Sequence, residues 1–106
     1  MHIVLVYDHD CPNADPARQR LAQALSRVGL PAAWTEWERG DPTAPEYTQH
    51  LGSPTILVNG KDVSGTPSAV GASSCRVYRG PDGSLSGVPP LGSILAGLHE
   101  AGGTGG

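Results

Sequence analysis

The sequence predicts an α/β domain: a mixed β-sheet flanked by helices, in the order β-α-β-α-β-β-α, with an extra strand or hairpin insertion before the last helix. Three observations predict it. An apolar run, Ile3-Val4-Leu5-Val6-Tyr7, is followed by apolar residues at helical spacing, Ala17, Leu21, Ala24, Leu25 and Val28, which is how a buried strand leading into an amphipathic helix reads. Thr55-Ile56-Leu57-Val58 runs into Asn59-Gly60 and then Lys61-Asp62-Val63; Asn-Gly accepts the positive φ values that a two-residue hairpin demands. Leu91, Ile94, Leu95 and Leu98 repeat the helical spacing near the C-terminus.

Taken in order, the first strand is apolar throughout, so it is expected at the centre of the sheet with both faces covered. Arg18, Gln19, Gln23 and Arg27 face away from the apolar stripe of the first helix, and Gly29 stops it, as a residue free to adopt positive φ does at a helix C-terminus. Asp15-Pro16 is the local start signal, an acid at the N-cap followed by proline at the first helical position. Leu30 to Glu38, with Trp34, Thr35 and Trp37, reads as the second strand, and Glu46 to Leu51 as a short helix after the Pro-broken loop Arg39 to Pro45. Beyond the hairpin, Ser64 to Ser74 is a loop and Cys75 to Arg79 a strand. Gly80-Pro81-Asp82-Gly83 turns the chain toward a further strand at Leu85 to Val88. Pro89-Pro90 opens the last helix, which ends at Gly102. The first β-α-β unit makes its two strands parallel and the hairpin is antiparallel, so the sheet is mixed, with helices expected on both faces.

At 106 residues the chain is expected to form one domain over residues 1–101, with a Gly-rich disordered tail at 102–106. A net charge of −3 with scattered Lys and Arg argues against nucleic acid, whose phosphates need clustered positive charge. The N-terminal run has no basic region before it and is too short to span a membrane, which makes the expected location cytoplasmic. Cys11 and Cys75 are the only cysteines, and in such a chain they point to redox, catalytic or metal chemistry before a disulfide scaffold.

Cys11 falls between the first strand and the first helix. Gly52-Ser53-Pro54-Thr55-Ile56-Leu57-Val58-Asn59-Gly60-Lys61 joins a proline to the hairpin strand, and 43 positions separate Cys11 from Pro54. On these features the chain resembles the thioredoxin-like superfamily, its glutaredoxin branch in particular, over residues 1 to about 65 and again in the last helix. The resemblance implies a nucleophilic Cys11, and a cis bond at Ser53-Pro54 that turns the Ser53 backbone toward it for pairing with a substrate. It implies Pro12, Asn13, Ser53 and Pro54 as substrate-binding residues. The departures are specific. Ala14 stands where the family's second cysteine would be, so no local disulfide forms. Pro12-Asn13-Ala14 replaces the Gly-Phe-Ser of monothiol glutaredoxins, and Ser64 to Val88 has no counterpart in the smallest members.

The thiolate is the reactive form of cysteine, so its neighbours matter. With Asp15 as N-cap, Cys11 stands a turn outside the helix and gains little from its dipole; Asp8, Asp10 and Asp15 oppose the thiolate if close, and a protonated His9 favours it. The expected activity is thiol–disulfide exchange through Cys11, resolved by Cys75 or a low-molecular-weight thiol, on a disulfide-containing protein or small thiol partner. No cofactor and no metal are expected, since His9, Cys11 and their acids match no structural zinc spacing. Two other readings stay open: a soft-metal (mercury or copper) binding or mercury-resistance-associated thiol protein, and a redox-inactive thioredoxin-like scaffold.

Overall fold

A computed structural model describes residues 1–64, 78–80 and 82–102. The loop after Ser64, Cys75, Pro81 and residues 103–106 of the tail lie outside them. The elements are β1 (Ile3–Tyr7), α1 (Ala14–Arg27), β2 (Thr35–Glu38), a short 3-10 helix (Glu46–His50), β3 (Thr55–Val58), β4 (Lys61–Asp62), β5 (Tyr78–Arg79), β6 (Leu85–Ser86) and α2 (Leu91–Ala101). The main sheet has the order β2-β1-β3-β4, and β5 and β6 form a separate two-stranded ribbon. β1 runs parallel to β2 and antiparallel to β3, and β3 is antiparallel to β4. The protein is thus a small α/β fold with a mixed sheet and two α-helices. Among the described residues no helix is long and apolar enough to cross a membrane.

The all-apolar composition of β1 is explained by its two faces. Side chains alternate along a strand, so Ile3 and Leu5 point to one side and Val4 and Val6 to the other. The first side meets Ile56 and Val58 of β3, Ala17, Leu21, Ala24 and Leu25 of α1, and Ile94 and Leu98 of α2 in one buried cluster. The second side meets Leu57, Trp37 and Leu51. Both α-helices therefore lie on one face and pack on each other, which corrects the expectation of helices on both faces. The segment read as a short helix, Glu46 to Leu51, is a single polar 3-10 turn, Glu-Tyr-Thr-Gln-His, that buries only Thr48. Leu51, just past it, supplies the apolar contact.

Local signals account for most boundaries. Gly29, at φ +76°, ends α1: its N–H bonds the Ser26 carbonyl and the Leu30 N–H the Leu25 carbonyl, the paired closure of a Schellman motif. That closure, followed by a tight turn from the Pro31 carbonyl to the Ala33 N–H, consumes the start of the expected second strand. β2 is accordingly only four residues, Thr35–Glu38. Asn59 at φ +51° and Gly60 at φ +82° make the hairpin turn, both central residues having the sign a type I′ turn requires.

Leu21 is fully buried where α1 faces β1 and β3. Leu21→Ala should cost about 2–5 kcal/mol through lost burial and a residual cavity, read as a lower midpoint in urea-induced unfolding.

Candidate functional site

β1 and β3 are antiparallel, so the end of β1 lies beside the start of β3. The pairing of Val6 with Thr55 sets Ser53 and Pro54 against the residues that leave β1. The chain then turns through Asp8-His9-Asp10-Cys11, closed by the Cys11 N–H on the Asp8 carbonyl at 3.1 Å, and the Ala14 N–H follows on the Cys11 carbonyl at 3.3 Å. Cys11 is half-buried and its thiol is free. Pro12 is exposed and Asn13 half-buried. Across from them, Ser53 is fully buried and its Oγ accepts the Asp8 N–H at 2.8 Å. The Ser53–Pro54 peptide bond is cis, and the Pro54 carbonyl accepts a hydrogen bond from the Tyr78 hydroxyl.

Of the residues singled out in the sequence, Cys11, Pro12, Asn13, Ser53 and Pro54 thus come to one end of the sheet. Cys75 lies outside the described residues. Ser53 and Pro54 are both buried, and Ser53 Oγ supports the Cys11 turn from behind through the Asp8 N–H.

The start of α1 differs from expectation. The helix begins at Ala14 with Asn13 as N-cap, although the Asn13 side chain makes no capping bond. Asp15 and Pro16 are its second and third residues, not its cap and first turn position. A proline is tolerated there because the N–H groups of the first turn have no helical acceptor in any case, and the earlier start brings Ala14, 6% exposed, into the buried face. Cys11 consequently stands two residues before the cap.

The acids around Cys11 are largely neutralised. Asp8 Oδ2 lies 3.3 Å from Arg39 Nη1, with both side chains mostly buried, and the Arg39 N–H bonds the Tyr7 carbonyl at 2.8 Å. Asp15 pairs with Arg18. His9 Nδ1 is 3.9 Å from Glu38, and His9 and Asp10 are exposed. Asp8, which the sequence marks only as an acid beside the thiol, is therefore a junction: its amide holds Ser53, its carbonyl holds Cys11 and its carboxylate holds Arg39. No local spacing signals this, because two of the three partners, Arg39 and Ser53, come from segments distant in sequence. Among the described residues there is no group of three or more His, Cys, Asp and Glu side chains arranged to hold a metal ion.

A second polar cluster fastens α1 to β2 behind the site. Arg18 donates to Glu36 through Nε at 2.9 Å and Nη2 at 3.0 Å, and Trp34 Nε1 donates to the same carboxylate at 2.9 Å. The Arg18 guanidinium also sits 4.8 Å from the centroid of the Tyr7 ring, a cation–π distance. The hydrogen bond to Glu36 is the main cause that raises the Arg18 pKa above its ordinary value. Burial pushes the Glu36 pKa up, but the hydrogen bonds from Arg18 and Trp34 outweigh it and hold the carboxyl below its ordinary range. A surface groove lies elsewhere. It runs between β4 and α2, lined by Val63 and Gly97 and bridged by Lys61 and Glu100, at the opposite end of the sheet from Cys11.

Compared with known proteins, the chain matches no protein-family model, no curated protein and no solved structure. What it can do must be read from the site itself.

Two measurements follow from this geometry. Ser53→Ala leaves the buried Asp8 N–H without its acceptor, and stability should fall by about 1–3 kcal/mol in urea unfolding. A carboxyl held below its ordinary pKa contributes stability that is present above the ordinary carboxylate range and lost as pH falls through the lowered folded value. Wild type should therefore lose stability on acidification more steeply than Glu36→Gln between about pH 5 and pH 3, measured as unfolding midpoint against pH.

Proposed function

We propose that the chain is a thioredoxin-like thiol–disulfide oxidoreductase of glutaredoxin type, with Cys11 as its nucleophile. One observation carries the reading. A solvent-reachable, unpaired cysteine sits on the turn between β1 and α1, and that turn is bonded through Asp8 to the Ser53-Pro54 segment that leads into β3. The sheet order β2-β1-β3-β4, with a parallel first pair and an antiparallel hairpin, supports the thioredoxin-like assignment because it brings those two segments to the same edge.

The chemistry needs one thiol in the protein and one in solution. The Cys11 thiolate attacks a sulfur of a disulfide R–S–S–R′, forming the mixed disulfide Cys11–S–S–R and expelling R′–S⁻, which takes a proton from water. A second thiolate then attacks the mixed disulfide, carries R away as a new disulfide and returns Cys11 to its thiolate. Ala14 occupies the place from which a neighbouring cysteine would act and is buried. On this route the second thiol is a low-molecular-weight one, and the net reaction passes a disulfide from one thiol pair to another; where Cys75 resolves instead, it attacks the Cys11 sulfur, expels R–S⁻ and leaves a Cys11–Cys75 disulfide that an external thiol reduces. Asp8 serves this scheme by holding the turn that carries Cys11, through its bonds to Ser53 and Arg39.

The test is mixed-disulfide formation with oxidised glutathione at neutral pH, followed by intact mass and peptide mapping. Wild type and Cys75→Ser should form the Cys11 adduct at least about tenfold faster than an unstructured cysteine peptide, and Cys11→Ser should lose it. A Cys11 rate equal to that of the peptide would overturn the proposal. Stoichiometric mercury or copper uptake without exchange would replace it by a metal-binding role.

A further inference from the structure

Among the described residues the β5–β6 ribbon pairs with no strand of the main sheet, yet it reaches the Cys11 site at two points. Tyr78 on β5, 4% exposed, places its hydroxyl on the Pro54 carbonyl. Just past β6, the backbone of Gly87 lies against the side chain of Asn13. A Cβ on Gly87 would stand 2.6 Å from Asn13 Cγ and closer still to Nδ2, so any larger residue there would displace the Asn13 amide. It also accounts for a local oddity: Asn13 is the N-cap residue of α1 but does not cap it, its amide being turned to Gly87 instead.

The segment around Gly87 is fixed to the body of the protein. Val88 is buried in the main core cluster, and Arg20 Nη1 of α1 donates to the Pro89 carbonyl at 3.2 Å. The ribbon is therefore an anchored strap whose two contacts fall on the two loops that define the site, the one carrying Cys11 and Asn13 and the one carrying Ser53 and Pro54. Neither contact is itself part of the main core cluster, to which this segment contributes Val88.

We propose that the β5–β6 ribbon is a positioning element for Cys11: through Tyr78 on Pro54 and Gly87 on Asn13 it sets the relative placement of the two loops, and so the line along which a disulfide approaches the sulfur. The inference rests on Cys11 being the nucleophile. Tyr78, Gly87 and Asn13 act through that placement and do not touch the reacting atoms.

The decisive variant is Gly87→Ala in a Cys75→Ser background, where one thiol reports. Its Cβ must push the Asn13 amide away, while in Asn13→Ala/Gly87→Ala the two methyl groups can coexist. Second-order rate constants of Cys11 would be measured with oxidised glutathione and with iodoacetamide across about pH 6–9. Gly87→Ala should change the thiolate-limited rate by about threefold or more, and most of that change should vanish when Asn13 is already Ala, the non-additivity expected of residues in contact. Tyr78→Phe, which removes only the hydroxyl on Pro54, should also shift the rate. Overturning results are a folded Gly87→Ala protein with wild-type rates, or an effect of the same size with and without the Asn13 side chain. If Gly87→Ala does not fold, wild-type rates in Tyr78→Phe overturn the proposal. The iodoacetamide arm separates the two readings: it reports the surroundings of Cys11 even if exchange with glutathione proves no faster than for a free thiol, the result that would sink the oxidoreductase assignment alone.

Discussion

Burial of β1 on both faces is the constraint from which the rest of the fold follows. A five-residue strand with four buried side chains must have partners above and below it, because each apolar side chain left in water forfeits about 1.5–3 kcal/mol. α1 and α2 meet this need on one face, through Leu21, Leu25, Ile94 and Leu98. Trp37 and Leu51 contribute on the other. β2 and β3 meet it at the sides by taking up the backbone hydrogen bonds, which a buried strand cannot leave unpaired. Because β1 is central and its neighbour β3 is antiparallel, the chain leaving β1 at Asp8 must pass the chain entering β3 at Ser53.

At that crossing Asp8 does for the backbone what a metal or disulfide does in other small proteins: it joins segments distant in sequence. Its three bonds, to Ser53, Cys11 and Arg39, fix the turn on which the thiol stands. The neighbouring Arg18–Glu36–Trp34 cluster does the same for α1 and β2. The two clusters match Asp15 and Asp8 with arginines, while Asp10 stands exposed.

Most of the architecture was legible because it rests on local patterns. The helical stripes of α1 and α2, the Asn59-Gly60 turn and the Gly29 stop are each decided by a few adjacent residues, and they occur where the pattern puts them. Boundaries set by competition were not legible. The Asp15-Pro16 signal lost to burial of Ala14, and Leu30 to Trp34 was drawn into closing α1 before it could extend β2. The placement of both α-helices on one face was hidden because an apolar stripe does not say which side of a sheet it covers. In the site, Cys11, Ser53 and Pro54 were visible from their spacing, whereas Asp8, Arg39, Tyr78 and Gly87 enter through contacts between distant segments that leave no periodic trace.

The outer strands of the sheet carry a consequence of their own. Among the described residues β2 borders the sheet on one side with Thr35, Glu36, Trp37 and Glu38, and β4 on the other with Lys61 and Asp62. A free strand edge is a template on which further chains can add, and short, charged edges are poor templates. With two acids on one border and a two-residue charged strand on the other, the apolar β1 and β3 are kept from becoming the seed of a stacked, fibrous assembly. The residues that cost the sheet its length guard the chain against its own hydrophobic centre.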